Sequence, residues 1–203
     1  RGSLPLHLAC RSGAPVSVIQ QLISIYPQGA SHPDTAQRLP LHWACHLNLS
    51  SECISILLDA YPAAARSAEA KYHFLPLHVA CLRGCSYKVI KILSEAYSNG
   101  PFCRDKSGCL PLHIACKCKD GISTDTIQSL VWLHPKALCV KNFEGVSPVD
   151  LAKENIANLS TDIVDIMVDA STNRDDCNIS TSDEKRVEDF EIVNNMTLLD
   201  ISR

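Results

Sequence analysis

The chain of 203 residues contains no uninterrupted run of about 18 apolar residues, so no part of it reads as a membrane-spanning helix. It has no dense basic stripe: 19 Lys and Arg stand against 22 Asp and Glu, which argues against nucleic acid as a partner. No Gly-x-Ser-x-Gly elbow, phosphate loop or Gly-x-Gly-x-x-Gly fingerprint occurs, so neither a catalytic centre nor a cofactor is expected. The chain begins with neither a Met nor a charged-then-apolar leader, and it starts close to a sequence motif. The expectation is a fragment of something longer, intracellular and cytoplasmic.

What is present is a hydrophobic fraction of 46%, enough for a folded body, and a repeated heptad. Leu-Pro-Leu-His-x-Ala-Cys runs from Leu4 to Cys10, Leu39 to Cys45, Leu75 to Cys81 and Leu110 to Cys116, with starts 35, 36 and 35 residues apart. A weaker copy, Ser147 to Ala152, follows 37 residues later. A fixed period of this size means stacked supersecondary units.

Within each unit Pro5, Pro40, Pro76 and Pro111 stand at the first position of a short helix, where a missing N–H is harmless. Gly13, Asn48 and Gly84 suit the left-handed residue that ends it. A second helix follows, with apolar residues at helical spacing: Ile19, Leu22, Ile23 and Tyr26; Ile54, Leu57, Leu58 and Tyr61; Ile90, Leu93 and Tyr97; then Ile127, Leu130, Val131 and His134. Pro27, Pro62 and Pro135 are read as its stops. Extra residues fall only in connections: two between the helices of the fourth unit, within 119–126, and one within 63–74.

The heptad resembles the ankyrin signature Thr-Pro-Leu-His-x-Ala, over Gly2 to Ala170. The resemblance implies an all-α solenoid of about five helix-turn-helix repeats with short β-hairpin fingers, spanning 1–170. A flexible acidic insert would occupy 171–190. For 191–203, a truncated sixth repeat and a frayed amphipathic end both stay open. Family fingers carry an Asp five residues before the motif Thr and a Gly two before. Asp34, Asp105 and Asn142, and Gly2, Gly108 and Gly145, fit that pattern. Gln37, Ala70 and His73 do not, so the fingers into repeats two and three are expected to be less regular. The family Thr is Leu in four copies, which removes a hydroxyl cap worth about 1 kcal/mol; Leu4, Leu39, Leu75 and Leu110 are expected to pack between repeats instead.

Eleven cysteines suggest a disulfide scaffold, yet Cys10, Cys45, Cys81 and Cys116 recur at one place, where the family carries a small buried Ala. Helices pack about 8–10 Å apart and a disulfide needs Cα atoms within about 7 Å, so these four should not bridge. They are read as small hydrophobes in a reducing compartment. Cys85, Cys103, Cys109, Cys118 and Cys139 are expected in exposed turns or fingers. His7, His42, His78 and His113 lie three residues before the shared Cys and could supply zinc ligands. The stronger reading, from the resemblance, is that they tie adjacent turns together. His113, Cys116 and Cys118 form the one tighter metal-like cluster.

The function that the resemblance implies is non-catalytic binding of a protein partner on an extended concave face built from fingers and first helices. Residues that vary between copies there are Arg38, Lys71, Tyr72, His73, Phe74 and Lys106 on the fingers, with Trp43 and Arg83 on the first helices. Each also has a plainer reading, Trp43 and Phe74 as core and Arg38 and Lys106 as solvated charge. Two other classes remain open: a regulatory segment of a larger enzyme, channel or transporter, and a cysteine-based redox or metal module.

Overall fold

A computed structural model describes residues 2–118, 124–155, 159 and 161–172. Among these residues the chain forms ten α-helices in five pairs: α1 (Pro5–Ser12) with α2 (Val16–Ile25), α3 (Pro40–His46) with α4 (Ser51–Ala60), α5 (Pro76–Leu82) with α6 (Tyr87–Ala96), α7 (Pro111–Lys117) with α8 (Thr124–Leu133), and α9 (Pro148–Glu154) with α10 (Thr161–Thr172). Odd-numbered helices pack on odd-numbered ones and even on even, each on the pair before and after it. The array is therefore a helical solenoid whose core is continuous along the stack.

Local chemistry sets the helix ends. Each first helix opens on Pro. Gly13, Asn48 and Gly84 follow the first helices at φ 70°, 52° and 61°, the left-handed conformation anticipated for them. The prolines after the second helices do more than stop them. Pro27, Pro62 and Pro135 each begin a 3-10 turn, Pro27–Ala30, Pro62–Arg66 and Pro135–Cys139, because a ring-locked φ of about −65° suits a first helical position.

Burial follows the repeat. Ile19, Ile54, Ile90 and Ile127, one per second helix, are fully enclosed, each contributing roughly 1.5–3 kcal/mol. Leu39, Leu75 and Leu110 are buried at the repeat junctions, whereas Leu4 is half-buried. At the same end of the stack Leu22 and Ile23 are only half-buried and Tyr26 is 45% exposed, because among the described residues no helix pair covers α1 and α2 from that side. In α10, Ile163, Val164 and Met167 face the core. The helix runs through Ser171 and Thr172, two residues into the stretch expected to be a flexible insert; the rest of 171–203 lies outside the described residues.

The fingers are more regular than expected, and they are not ladders. Among the described residues none forms a strand. Each is a tight turn: Asp34 N–H donates to Arg38 O, Asp105 N–H to Cys109 O and Asn142 N–H to Val146 O, all at 2.9 Å. One backbone bond joins each finger to the next, Ala70 to Ala36, Lys106 to Tyr72 and Phe143 to Ser107. Turns this short have no room for a hairpin register. Gln37 and His73 adopt the left-handed conformation, at φ 57° and 58°, that Gly108 and Gly145 adopt at the same place. Glu69 performs the role of Asp34, accepting N–H bonds from Lys71 and Tyr72. Its longer side chain spans the one-residue insertion, so Ala70 needs no carboxylate.

Backbone strain at this position is measurable. Gly108→Ala should destabilise by about 1–2 kcal/mol from the left-handed φ alone, and the added Cβ would stand 2.8 Å from Phe143 N, which raises the loss. Gln37→Gly should instead relieve strain, partly offset by the roughly 0.4–1 kcal/mol of extra freedom in the unfolded chain. Urea midpoints should move in opposite directions. A stable Gly108→Ala chain would contradict the finger geometry.

Candidate interaction surface

The motif histidines determine how the fingers sit. His7, His42, His78 and His113 are buried. Each Nδ1 accepts the N–H of its own motif Leu three residues earlier, at 3.0–3.2 Å. With Nδ1 accepting, Nε2 carries the proton and donates to a carbonyl of the next finger: Arg38, Phe74, Cys109 and Val146 respectively, at 3.1–3.3 Å. The Nδ1 bond satisfies the N–H of the motif Leu, and the Nε2 bond locks each repeat to its neighbour. Repeat five differs: Ser147 Oγ accepts from Asp150 N–H, and Asp150 Oδ2 accepts from Ser147 N–H. Burial holds His42, His78 and His113 down at about 4, against the pull of the carbonyls and carboxylates around them.

No zinc chemistry follows from these groups. Both nitrogens of His113 are engaged, Cys116 Sγ faces Met167 Sδ at 4.0 Å, and Cys118 Sγ faces Leu82 O at 3.4 Å. The cluster diverges instead of converging, and among the described residues no three His, Cys, Asp or Glu could share a metal ion. The cysteines expected in exposed turns are mostly enclosed: Cys85, Cys109 and Cys118 are buried and Cys103 is half-buried, since the turns they occupy are covered by adjacent repeats. Cys85 Sγ, for instance, reaches Cys45 O. Cys10, Cys45, Cys81 and Cys116 are free thiols. Burial pushes Cys10, Cys85 and Cys116 up to about 12, far from the thiolate that reacts. Cys139, the last of the cysteines expected in exposed turns, is half-buried.

The variable side chains gather on the finger-side face. Asp34 is the anchor. Its Oδ1 accepts Ala36 and Arg38 N–H, and its Oδ2 accepts Arg38 Nε at 3.1 Å and Trp43 Nε1 at 3.2 Å. Burial opposes the charge, but these donors outweigh it and keep the Asp34 carboxyl below its ordinary value. Arg38 stacks over Trp43 at 4.1 Å, and Arg11 approaches the same ring at 5.6 Å. Trp43 is half-buried, with part of its ring on the core and the rest under Arg38. Phe74 divides likewise: it is half-buried, stacked on His78 at 5.6 Å, and touched by Tyr72 at 5.3 Å.

The remaining candidates are exposed. Lys71 Nζ lies 4.4 Å from the Tyr72 ring, Lys106 Nζ donates to Ala70 O, and His73 is solvent-facing. Arg83 reaches across one repeat to the His46 ring, 2.6 Å from its Nε2. The face thus unites Arg38, Trp43 and Arg83 near one niche lined also by His46, Glu69 and Val79. Lys71, Tyr72, His73 and Lys106 lie on the fingers beside it. Arg11 and His46 belong to this face and are not in the sequence-derived set. A signal was present: with Lys117 they occupy one position, the residue after the shared Cys.

A family model described as ankyrin repeats (3 copies) matches residues 6–99. No curated protein matches the chain. Heptad, helix pairs, finger turns and the histidine locks between neighbours agree with that match and continue past residue 99, and the array is an all-α solenoid of the ankyrin repeat type.

Proposed function

We propose that the finger-side face, from Arg38 and Trp43 across Tyr72 to Arg83 and Lys106, binds a partner protein without catalysis. Ankyrin repeats are in general protein-interaction modules and typically non-catalytic, and among the described residues no helix is long and apolar enough to cross a membrane. The observation that carries the proposal is where variation lies. The core positions repeat almost unchanged, while exposed Tyr72 and Arg83 differ from their counterparts, and Lys71 and Lys106 share a place, four residues before the motif Leu, that holds Thr35 and Phe143 in the other fingers. Tyr, Trp and Arg dominate interface energetics.

The test takes a partner found by proximity labelling of the full-length protein in its source cell and measures binding of the purified pair. Tyr72→Ala with Arg83→Ala should weaken binding at least tenfold with unchanged thermal unfolding. Trp132→Ala is the contrast, since that side chain is 76% exposed on α8, away from the fingers. A complex lost with Trp132→Ala and kept with the finger-side pair would refute the assignment.

A further inference from the structure

Charge is distributed unevenly between the two sides of the array. On the fingers and first helices from Gly2 to Cys118 the carboxylates are Asp34, Glu69 and Asp105, and all three are buried. Each is consumed by its own finger, accepting two backbone N–H bonds: Ala36 and Arg38 for Asp34, Lys71 and Tyr72 for Glu69, Ser107 and Cys109 for Asp105. The cations above them are not enclosed. Arg11, Lys71, Arg83, Lys106 and Lys117 are exposed and Arg38 is half-buried. Only Arg38 has a carboxylate partner; Arg83 lies against a neutral imidazole. The second helices carry both signs, with Glu52, Asp59, Glu95 and Asp125 exposed beside Lys88 and Lys91, and Lys91 lies 3.8 Å from Glu95.

A helix C-terminus attracts cations, which accounts for Arg11, His46 and Lys117 in the last turns of α1, α3 and α7. It does not account for Arg38 laid over Trp43 or for Arg83 extended across a repeat to His46. Positive charge is crowded enough there that His46, lowered first by burial, is lowered further by Arg83 and Arg38. Beneath the guanidinium groups lie the Trp43 ring and Val79, with His42 and the Glu69 carboxylate, the latter already held by the N–H groups of its own finger.

From this arrangement we infer that the face takes an extended acidic segment of a partner protein, with carboxylates three residues apart. The inference rests on the finger-side reading proposed above. The spacing comes from geometry. Arg11, His46 with Arg83, and Lys117 stand on the first, second and fourth repeats, with Leu82 at the equivalent place in the third. Adjacent first helices pack about 8–10 Å apart, and an extended polyproline II chain advances about 3.1 Å per residue with three residues per turn, so that residues three apart share one side. An acidic residue at every third position therefore keeps step with the repeats and meets the cations of the first, second and fourth. The intervening residues lie over Trp43 and Val79 or face solvent.

The probe is a fluorescein-labelled dodecapeptide, Glu-Gly-Ser repeated four times, titrated into the 15N-labelled full chain at 20 mM salt. It should shift the amides around Arg11, His46 and Arg83, and bind at least fivefold more tightly than the same composition with its four Glu contiguous. The Lys-Gly-Ser counterpart should not bind. Raising salt to 200 mM should weaken binding severalfold, as exposed charge pairing requires. Arg11→Gln with Arg83→Gln should cost at least fivefold, while Lys88→Gln with Lys91→Gln, an equal loss of charge on α6, should cost nothing. Arg11→Glu with Arg83→Glu should transfer the preference to the Lys peptide, which only a folded variant can do.

Equal binding of spaced and contiguous peptides, no shift up to millimolar peptide, or the same amides moved equally by inorganic phosphate at matched ionic strength would each overturn the inference. A native partner that is insensitive to Arg11→Gln with Arg83→Gln but lost with Tyr72→Ala would overturn it too, while leaving the finger-side reading intact. A partner lost only with Trp132→Ala would refute both.

Discussion

Acidification from pH 7 towards 4 should unfold the array. In the unfolded chain a histidine binds its proton near pH 6.5. In the folded chain burial holds His42, His78 and His113 at about 4. Between those values the unfolded state binds more protons, so stability rises with pH there and falls as pH drops. It is fully present above about 6.5. Each histidine then removes about 1.4 kcal/mol per pH unit, and three together about 4 kcal/mol per unit. A domain stable by about 5–15 kcal/mol exhausts that margin within a few pH units.

The chemical reason lies in the tautomer. Protonation puts a hydrogen on the Nδ1 that accepts the motif Leu N–H, and two donors then face each other in a buried site. His7 contributes in the same direction, since burial lowers it as well. The Asp34 carboxyl, also lowered, contributes stability that is present above its unfolded value of about 3.9 and is lost only below it. The loss between pH 6.5 and 4 therefore belongs to the histidines. Urea midpoints measured every half unit from pH 7.5 to 4 should fall steeply below 6.5. A flat profile to pH 4.5 would mean that the buried imidazoles are not the neutral locks described.

His78→Ala should cost about 3–5 kcal/mol and divide the array. The side chain is fully buried, stacks on Phe74, accepts Leu75 N–H and donates to Cys109 O. Its removal strands a buried donor and a buried acceptor, each costing about 1–3 kcal/mol, and leaves a cavity. Because a repeat array is held by nearest-neighbour contacts, the loss falls on the junction of repeats three and four. The four-finger stack should then unfold in two stages, visible as non-coincident transitions when Trp43 and Trp132 report on opposite sides of the break. A His7→Ala chain should fray at one end and keep a single main transition. If His78→Ala shifts stability by less than about 1 kcal/mol with coincident transitions, the histidine bond is not what couples the repeats.

Much of this architecture was legible because its causes are local. Pro at a first helical position, Gly or Asn at φ near +60°, and apolar residues at helical spacing each act within a few residues, so four copies of one heptad announce four copies of one helix pair. The errors lie where the cause is distant. Gln37 and His73 lacked the glycine that signals a left-handed residue, yet they adopt it because the buried carboxylates of Asp34 and Glu69 close the turns around them. Cys85, Cys109 and Cys118 stand in turn sequences and are nonetheless enclosed, because the neighbouring repeat covers them. Prolines after the second helices marked the stops correctly but not the 3-10 turns they start.

The candidate surface divides the same way. Lys71, Tyr72, Arg83 and Lys106 could be chosen from variation between copies alone. Arg11 and His46 were marked only by their shared place after the motif Cys, and what puts them on the face is Trp43 and Arg83 reaching them from adjacent repeats.

By itself, then, the amino-acid order determined the repeat type, the number and order of the helix pairs, and which positions are apolar, since those follow from short-range stereochemistry and a period that recurs. Only the stacked structure decided which nitrogen of each histidine carries the proton, which carboxylates disappear beneath the fingers and which cations stay above them. Those outcomes depend on contacts between residues some 30 to 40 positions apart, and burial assigns each side chain its partner and its charge.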